Sequence, residues 1–433
     1  MNVASPADFL QRLLSARPSQ PEAANGWLKN LRAAAVERAN ELTVPSVRDE
    51  DWRFTDLAPL YKFPLQPSRE TGGLPEGGWQ GLEVPEAAHR LVFIDGCFSP
   101  QWSQLPSTSG ITVTNLAQAP AAILEPHLGQ LADIRKDAFA AVNTAFLHDG
   151  ACIHVAADRN VDHPIHLLFL ATREGVASYP RVLVRVERGG KCLFIEDFVG
   201  KVEGGYLTNA VAEIFVEDDA VVSHVRLQRE SPASFHIGKT SVRVASRGRY
   251  AGWSVALGSR ISRHNLGITQ AGEGTDFSMD GLALISGRQL ADTSSAVDHA
   301  FAHGRSRQLH KTVVADAAHA VFNGKIFVRK DAQQTDSGQQ SRNLLLSDRA
   351  HVDTKPQLEI FADDVKCAHG ATVGQLDEDE LFYLKTRGLS DSAARGMLTY
   401  AFSAEIVERI PVRSVVARME QAILDKTQTK EIA

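Results

Sequence analysis

The residues with the clearest capacity for chemistry are Cys367 and His369, two positions apart in the segment PQLEIFADDVKCAHGATVGQLDEDELFY. Side chains alternate across a β-strand with period two, so a thiolate and an imidazole at this spacing can face the same side. Such a pair suits a soft or borderline metal ion, although two ligands alone make an incomplete site. Any further ligands must come from elsewhere, and a partner chain is the natural supplier.

A structural interpretation of the same pair stays open. Cys367 can be a small buried hydrophobe, and His369 can be a hydrogen-bonded residue at the end of a strand. If the two residues do bind iron or sulfide, thiolate ligation is what iron-sulfur clusters require, and a histidine can replace a thiolate. The spacing by itself does not separate these readings.

Three other motifs lack the context that their chemistry needs. The triplet Gly238–Thr240 resembles the end of a phosphate-binding loop, but Ala233 stands where that loop needs its first glycine. The fragment GEGTDF from Gly272 lacks the third glycine of a dinucleotide fingerprint, so it is expected to be a turn. His299 and His303 have the spacing of a helical zinc pair, but no Glu follows His299 and the setting is strand and loop, which predicts structural or solvent-facing roles.

The composition excludes several classes of function. The chain has 433 residues, with 46 Lys plus Arg, 52 Asp plus Glu and a formal net charge of -6. No Lys/Arg-rich run marks a phosphate-binding surface, so nucleic acid is not an expected partner. The length predicts two to four structural units with a large core.

The cysteines and the N-terminus indicate the compartment. The four cysteines are widely spaced and fit neither a disulfide framework nor a zinc ribbon, which predicts a reducing environment. They are Cys97, Cys152, Cys192 and Cys367. The N-terminus MNVASPADFLQRLL does not read as a signal peptide, and no segment reaches about 18 consecutive apolar residues. The sequence therefore predicts a cytoplasmic protein with no membrane association.

Three regions differ in their hydrophobic patterns. Residues 1–150 are predicted to be mostly helical, with a Gly- and Pro-rich loop near residues 64–85 and a helix near residues 136–150. Residues 151–374 contain short apolar runs separated by Gly, Asp, Asn or Ser, a pattern typical of strands and turns. Residues 375–433 are predicted to be helical again.

The strand-rich region has a weak rhythm. Asp316, Asp331, Asp348 and Asp364 lie in successive turns, separated by 15, 17 and 16 residues. A stack of repeated coils produces such a rhythm, because each layer repeats a strand and a turn. An antiparallel sandwich also gives short, regularly spaced strands. The pattern favours neither architecture.

Capping residues divide the C-terminal region into three helices. Asp377 with Glu380 resembles a capping box, and Gly388 is well placed just past the end of that first helix. Ser390 can cap a longer helix that should end near Pro411. A last helix is expected to carry Val415, Val416, Met419 and Ile423.

Several longer blocks then point to a known family. The block DTKPQLEIFADDVKCAHGATVGQLDEDELFYLKTRGLS from Asp353 closely resembles the SufD proteins of the SufB/SufD family, which act in iron-sulfur cluster assembly. Further blocks resemble the same family: RHNLG, DGLALISGRQLADTSSAVDH, VFNGKIFV, FAAVNTAFLHDG and EDWRFTDLAPL. The resemblance covers nearly the whole chain.

The resemblance implies an architecture and partners. It implies a mainly β protein with a right-handed parallel β-helix core at residues 151–374 between N-terminal and C-terminal helical parts. SufD proteins pair with SufB through their β-helices and hold one copy of the ATPase SufC through the C-terminal helices, here residues 375–433. By resemblance this chain is a non-catalytic scaffold subunit of the SufBCD complex.

The resemblance also implies roles for particular residues. His369 matches the histidine implicated in forming the nascent cluster at the SufB/SufD interface, and Cys367 matches the neighbouring cysteine. Ser341 stands about where SufB chains carry an essential cysteine, which suggests that SufB supplies the main thiolate. The expected SufC-binding residues are Leu381, Phe382, Leu384, Arg387, Met397, Leu398 and Tyr400.

The expected cargo is a transient iron-sulfur cluster shared with SufB, and sulfur would arrive through a donor system acting on the complex. A flavin in the complex and a homodimer of the isolated chain stay open, whereas no nucleotide is expected on this chain. Two rival functions also remain: a β-helix enzyme acting on polysaccharide, and a purely structural, self-associating β-helix.

Overall fold

The computed structural model of the chain describes residues 6–17, 26–68, 70–74 and 78–428. The predicted regions 1–150, 64–85 and 375–433 include positions outside these ranges. The described helices are α1 Pro6–Ser15, α2 Gly26–Glu41, α3 Ala58–Tyr61, α4 Ala121–Leu124, α5 Ala138–Ala145, α6 Glu378–Thr386, α7 Asp391–Val407 and α8 Arg413–Gln428. Two short 3₁₀ turns lie at Glu50–Trp52 and Pro100–Trp102.

Strands occupy most of the middle of the chain. The first ten are β1 Gln66–Pro67, β2 His89–Ile94, β3 Cys97–Phe98, β4 Ile111–Asn115, β5 Ala151–Val155, β6 Ile165–Ala171, β7 Val176–Ser178, β8 Arg181–Val186, β9 Lys191–Gly200 and β10 Leu207–Val216. The others are β11 Val221–Arg229, β12 Phe235–Val244, β13 Arg249–Ala256, β14 Ile261–Gln270, β15 Asp276–Ile285, β16 Leu290–His299, β17 Arg305–Val314, β18 His319–Val328, β19 Asp336–Leu345, β20 His351–Ile360 and β21 Lys366–Gly374.

The strands form a solenoid with two parallel sheets. From β8 onward the even-numbered strands build one sheet, called sheet A, and from β9 onward the odd-numbered strands build the other, called sheet B. From β10 onward each strand pairs in parallel with the strand two places earlier, so one coil contributes one strand to each sheet. Strands of sheet A begin at Leu290, His319 and His351, which gives coils of 29 and 32 residues. The stacked-coil expectation is confirmed, while the right-handed sense of the coil stays a prediction.

The aspartate rhythm marks half of each coil. Asp316, Asp331, Asp348 and Asp364 follow β17, β18, β19 and β20 in turn. The spacing of about 16 residues is therefore one strand plus one turn, and two such units close a coil. Asp316 adopts a positive φ of 61°, a conformation in which Asp is enriched.

The region before residue 150 contributes both helices and strands. β2 pairs with β6 in sheet B, and β4 pairs antiparallel with β5 at the end of sheet A. The sequence did not predict these strands, because they are short and separated by loops. Helix α5 lies within the predicted helix at residues 136–150, and Asp137 caps it by accepting from the Ala140 backbone N–H.

The two helical regions cover opposite sheets. Phe9 of α1 and Val142 of α5 pack with Phe235 and Ile261 of sheet A in one apolar cluster. Ile406 of α7 and Met419 and Ile423 of α8 instead cluster with Val225, Val255 and other residues of sheet B. Burying such apolar faces supplies the main driving force for docking the helices on the solenoid.

A buried ion pair anchors the N-terminal region to sheet A. Arg181 Nη2 donates to Glu213 Oε2 over 2.5 Å, and both side chains are fully buried. Glu213 also accepts from the backbone N–H groups of Gly129, Leu131 and Ala132 over 2.7–3.0 Å. The Glu213 carboxylate thus accepts hydrogen bonds both from the backbone of an N-terminal loop and from the Arg181 guanidinium of the solenoid.

Polar side chains line much of the space between the two sheets. His224 Nε2 lies 2.8 Å from Glu196 Oε2, and its Nδ1 lies 2.9 Å from the Tyr250 hydroxyl. His310 and His264 also line a cavity of about 40 Å³ in this interior. Burial lowers the pKa of His310 to about 4, so the ring stays neutral near pH 7.

Local motifs fold as their sequence context indicated. Gly238–Thr240 lies inside β12, and the residues from Gly272 form a turn before β15. His299 is buried, with Nε2 2.9 Å from Ser306 Oγ, and His303 is an exposed turn residue. Among the described helices, none combines the length and the apolar character that spanning a bilayer requires.

Candidate functional site

Cys367 and His369 lie on β21, the last strand of sheet B. β21 pairs with β19 on one side, and no further described strand follows it in the sheet. Cys367 is the register partner of Ser337, and His369 is the register partner of Gln339. The predicted pairing of the two side chains on one strand face is therefore met, because they are two residues apart in regular β structure.

Both side chains face the interior of the last coil. Their register partners Ser337 and Gln339 are buried, with 2% and 1% exposure, and side chains matched in register lie on the same face. Cys367 is partly buried and packs beside Ile326 and other residues of a small apolar cluster. His369 is exposed, because no coil covers this end of the interior.

The environment keeps the Cys367 thiol protonated. Burial raises the pKa of Cys367 above its ordinary value, a hydrogen bond with the Ser337 backbone opposes this in part, and Asp336 acts in the same direction as burial. A thiolate at this position would need a metal ion or another cation to stabilise it. Imidazole ligates metals in its neutral form, so His369 is the better-prepared ligand.

A buried amide sits next to the histidine. Both amide atoms of Gln339 are buried and have no hydrogen-bond partner among the described residues. A Cβ at Gly324 of β18 would lie 2.4 Å from Gln339 Nε2, so the absence of a side chain there makes room for the amide. A buried polar group without a partner costs free energy, so the Gln339 amide is available to bind a ligand atom or a water that enters this end of the solenoid.

The Cys367 and His369 pair remains an incomplete metal site within the described chain. The single described group of three or more ligating side chains lies elsewhere and contains neither residue. All four cysteines are free, and burial raises the pKa of Cys152 and of Cys192 to about 12. Those two thiols are not available as ligands.

The end of the solenoid is uncovered. Every residue of β20 and β21 keeps some solvent exposure, whereas β10 is buried throughout. Large apolar side chains stand exposed at this end: Ile360 is 39%, Phe361 57% and Val373 48% exposed. Two free strand edges with exposed apolar groups are features of an interface rather than of a solvated surface.

The structure divides the candidate SufC-binding residues into core and surface. Leu381 is buried, Leu384, Leu398 and Tyr400 are half-buried, and Arg387 is exposed beside the Tyr383 ring. Phe382 and Met397 are strongly exposed, and so is Tyr383, which sequence reasoning did not nominate. The name C-terminal patch is used below for Phe382, Tyr383 and Met397.

The predicted helix boundaries around the C-terminal patch are confirmed. The Asp377 carboxylate accepts from the backbone N–H groups of Asp379 and Glu380, and Ser390 Oγ accepts from that of Ala393. Gly388 has a φ of +92°, as a residue just past a helix end requires. Helix α7 ends before Pro411, and α8 carries the four predicted apolar residues.

Polar contacts connect helix α7 to sheet B. Lys311 of β17 contacts Glu405 of α7 at 2.5 Å and donates to the Phe402 carbonyl over 2.8 Å. Arg409 just beyond α7 contacts Asp280 of β15 at 3.2 Å. A displacement of α7 would therefore act directly on the sheet that carries Cys367 and His369.

Sequence reasoning missed a cluster of His319, His351 and Asp353 on sheet A. The two histidines are 32 residues apart and become neighbours only because one coil has that length. A signal existed in the sequence, since both histidines directly follow an Ala and lie 32 residues apart, which is one coil. This spacing predicts that the two histidines are neighbours only when the length of the coil is known.

Two family models match the chain over most of its length. A model described as "SUF system FeS cluster assembly, SufBD core domain" matches residues 169–402, and one described as "SufBD protein N-terminal region" matches residues 13–167.

Known proteins show the same relationship. An iron-sulfur cluster assembly SufBD family protein of Synechocystis is 39% identical over 418 residues, covering 92% of this chain and 91% of that protein. The protein ABCI7, chloroplastic, of Arabidopsis thaliana is 34% identical over 94% of this chain and 87% of its own length. The iron-sulfur cluster assembly protein SufD of Escherichia coli is 32% identical over 88% of this chain and 89% of its own length.

Proposed function

Since this chain belongs to the SufBD family of iron-sulfur cluster assembly proteins, we propose that it is a non-catalytic scaffold subunit that pairs with SufB and carries SufC. The nascent cluster is the cargo of this assembly. It forms where the open end of the solenoid meets the partner. The observation that carries the proposal is the incomplete ligand pair, Cys367 and His369, on the terminal strand of that open end.

The geometry of the open end supports pairing with a second β-helix. A strand edge offers a row of unpaired N–H and C=O groups, and a like edge is their natural partner. Ile360, Phe361 and Val373 add apolar area to the same contact. Cys367 and His369 would then face the interior at the junction, where side chains of SufB can complete the ligand set.

In this proposal His369 is the principal ligand from this chain. Its exposed ring can bind iron without prior loss of a proton from a thiol, whereas Cys367 is protonated and partly packed away. The unpartnered amide of Gln339 can donate to a sulfide or to a water that enters with the iron.

The C-terminal patch supports SufC binding. Exposed aromatic and Met side chains are enriched in protein interfaces, and Phe382, Tyr383 and Met397 are 68%, 57% and 51% exposed. ATP-driven movement of SufC would displace α6 and α7 and act on sheet B through Lys311 and Asp280. This movement would open the junction to iron and sulfide.

Replacing His369 with alanine should lower the rate of cluster formation at least about tenfold, because one ligand to the cargo is lost. The test is co-expression with SufB and SufC, anaerobic purification of the ternary complex, and measurement of cluster absorbance on reconstitution. Thr372→Ala is the matched control, since it changes the opposite face of the same strand. Normal cluster formation by an intact His369→Ala complex would rule out the site.

Replacing Phe382 with alanine should weaken SufC binding by about 1.5–3 kcal/mol, the range of an aromatic interface anchor. The side chain is 68% exposed, so the fold of the chain should tolerate the change. Titration of purified SufC into the two proteins measures the difference. Phe301→Ala, an exposed aromatic change on the solenoid, is the control, and equal SufC affinity for the Phe382→Ala protein would place the SufC surface elsewhere.

A further inference from the structure

A second group of metal-ligating side chains lies on the outer face of sheet A, apart from the Cys367 and His369 strand. His319 and His351 are the first residues of β18 and β20 and are direct register partners. Asp353 stands two residues after His351, so it projects from the same face of β20. Side chains from two successive coils thus converge on one point.

The ligand atoms already have nearly the spacing that a metal ion needs. Asp353 Oδ2 lies 2.7 Å from His319 Nε2 and 3.2 Å from His351 Nε2, and all three atoms lie within 4.8 Å of one another. Ligands about 2.1 Å from a common ion, at tetrahedral or octahedral angles, are about 3.0–3.4 Å apart. A small rotation of the exposed His351 ring brings the three atoms around one ion.

The backbone holds two of these ligands while leaving the site accessible. The His319 N–H donates to the Gln289 carbonyl over 2.9 Å, and the His351 N–H donates to the Ala318 carbonyl over 3.1 Å. The side chains are 27% exposed for His319, 65% for His351 and 23% for Asp353. An ion can therefore enter from solvent and keep water in its remaining coordination positions.

Two positive side chains beside this group are already paired with carboxylates. Lys355 lies two residues beyond Asp353 on the same strand face, but its Nζ contacts Glu50 at 2.5 Å. Asp292 of β16, the register partner of Val321, is a further carboxylate beside this group, and Arg263 pairs with it. Lys355 and Arg263 are thus each matched by a carboxylate.

We propose that His319, His351 and Asp353 bind one divalent first-row transition-metal ion, such as Fe²⁺ or Zn²⁺. Two imidazoles and one carboxylate on one side of the ion, with open positions on the other, form the ligand set typical of non-haem Fe²⁺ and of three-ligand Zn²⁺ sites. Oxygen-preferring ions such as Mg²⁺ and Ca²⁺ fit poorly, because two of the three ligands are nitrogen. The site belongs to this chain alone and does not depend on SufB or SufC.

Cobalt titration of the full-length chain tests the proposal. The background is Cys367→Ala with His369→Ala, so that the terminal strand contributes no ligand. Co²⁺ should bind with a stoichiometry of one and give d–d bands without a thiolate charge-transfer band. His351→Ala and Asp353→Asn should each weaken binding at least about tenfold, because each removes one of three direct ligands.

Two comparisons make the outcome decisive. His303→Asn removes an exposed histidine from a turn with a positive φ of 59°, which Asn tolerates, and it should leave Co²⁺ affinity unchanged. Cu²⁺ should displace the bound Co²⁺, as the affinity order of these ions requires. The proposal is overturned if the background protein does not bind Co²⁺, or if His351→Ala, Asp353→Asn and His303→Asn all bind it equally.

Discussion

Replacing Glu213 with alanine is expected to lower the free energy of unfolding by about 3–5 kcal/mol, the cost of breaking a buried ion pair from one side. Glu213 and Arg181 are both fully buried, so the remaining guanidinium would have no anion and no access to water. The backbone N–H groups of Gly129, Leu131 and Ala132 would lose their acceptor as well. Urea unfolding followed by far-UV circular dichroism measures the change.

Glu217→Ala is the matched control. Glu217 follows the same strand, but its side chain is 27% exposed and lies 3.7–3.9 Å from its Arg partners, so its loss should cost less than about 1 kcal/mol. Adding Arg181→Met to Glu213→Ala should recover part of the stability, because the unpaired charge disappears while the three N–H groups stay unsatisfied. A cost near that of Glu217→Ala would show that water reaches the buried pair.

Acidification is expected to destabilise the solenoid from within, through its interior histidines. Burial lowers the pKa of His310 to about 4, and burial is also the main cause that lowers the pKa of His299 to about 4. In the unfolded chain the pKa of a histidine is about 6.5. Between about pH 4 and about pH 6.5 the unfolded state therefore binds a proton that the folded state does not. Each ring thus contributes stability that is complete above about pH 6.5 and is lost as the pH falls toward 4.

Between about pH 7.5 and about pH 4.5 each histidine should account for about 2.5 kcal/mol of lost stability. His310→Gln removes one titrating ring, so its free energy of unfolding should fall less over this range than that of the unchanged protein. His163→Gln, at an exposed position, should leave the pH profile as it was. Parallel profiles for His310→Gln and the unchanged protein would contradict a neutral buried ring.

Local signals in the sequence were enough to predict the C-terminal helices. Asp377, Ser390 and Gly388 act within one turn of their own helix ends, so the residue type carries the information. The segments β2 and β4 were missed because they are short and gain their strand character only by pairing with β6 and β5. The spacing of the turns also could not distinguish a solenoid from an antiparallel sandwich. It corresponds to one strand plus one turn, which is half a coil, and both architectures contain that unit.

The candidate site was predictable only in part for a related reason. Period-two alternation was enough to place Cys367 and His369 on one face, but not to indicate that this face is the uncovered interior of a terminal coil. Adjacent residues of α6 differ in the same way: Leu381 is buried and Phe382 is exposed, and only packing decides which is which. His319 and His351 needed the 32-residue coil before their proximity could be inferred.

The two unequal ends of the solenoid also limit how large an assembly can become. One end offers β20 and β21, with ten and nine residues, while the other ends in the antiparallel strands β3 and β4, with two and five. Short edge strands pair poorly with further strands. Two chains that join through their long edges therefore leave no second edge of that kind within the described residues, so growth stops at two solenoids and a fibre does not form.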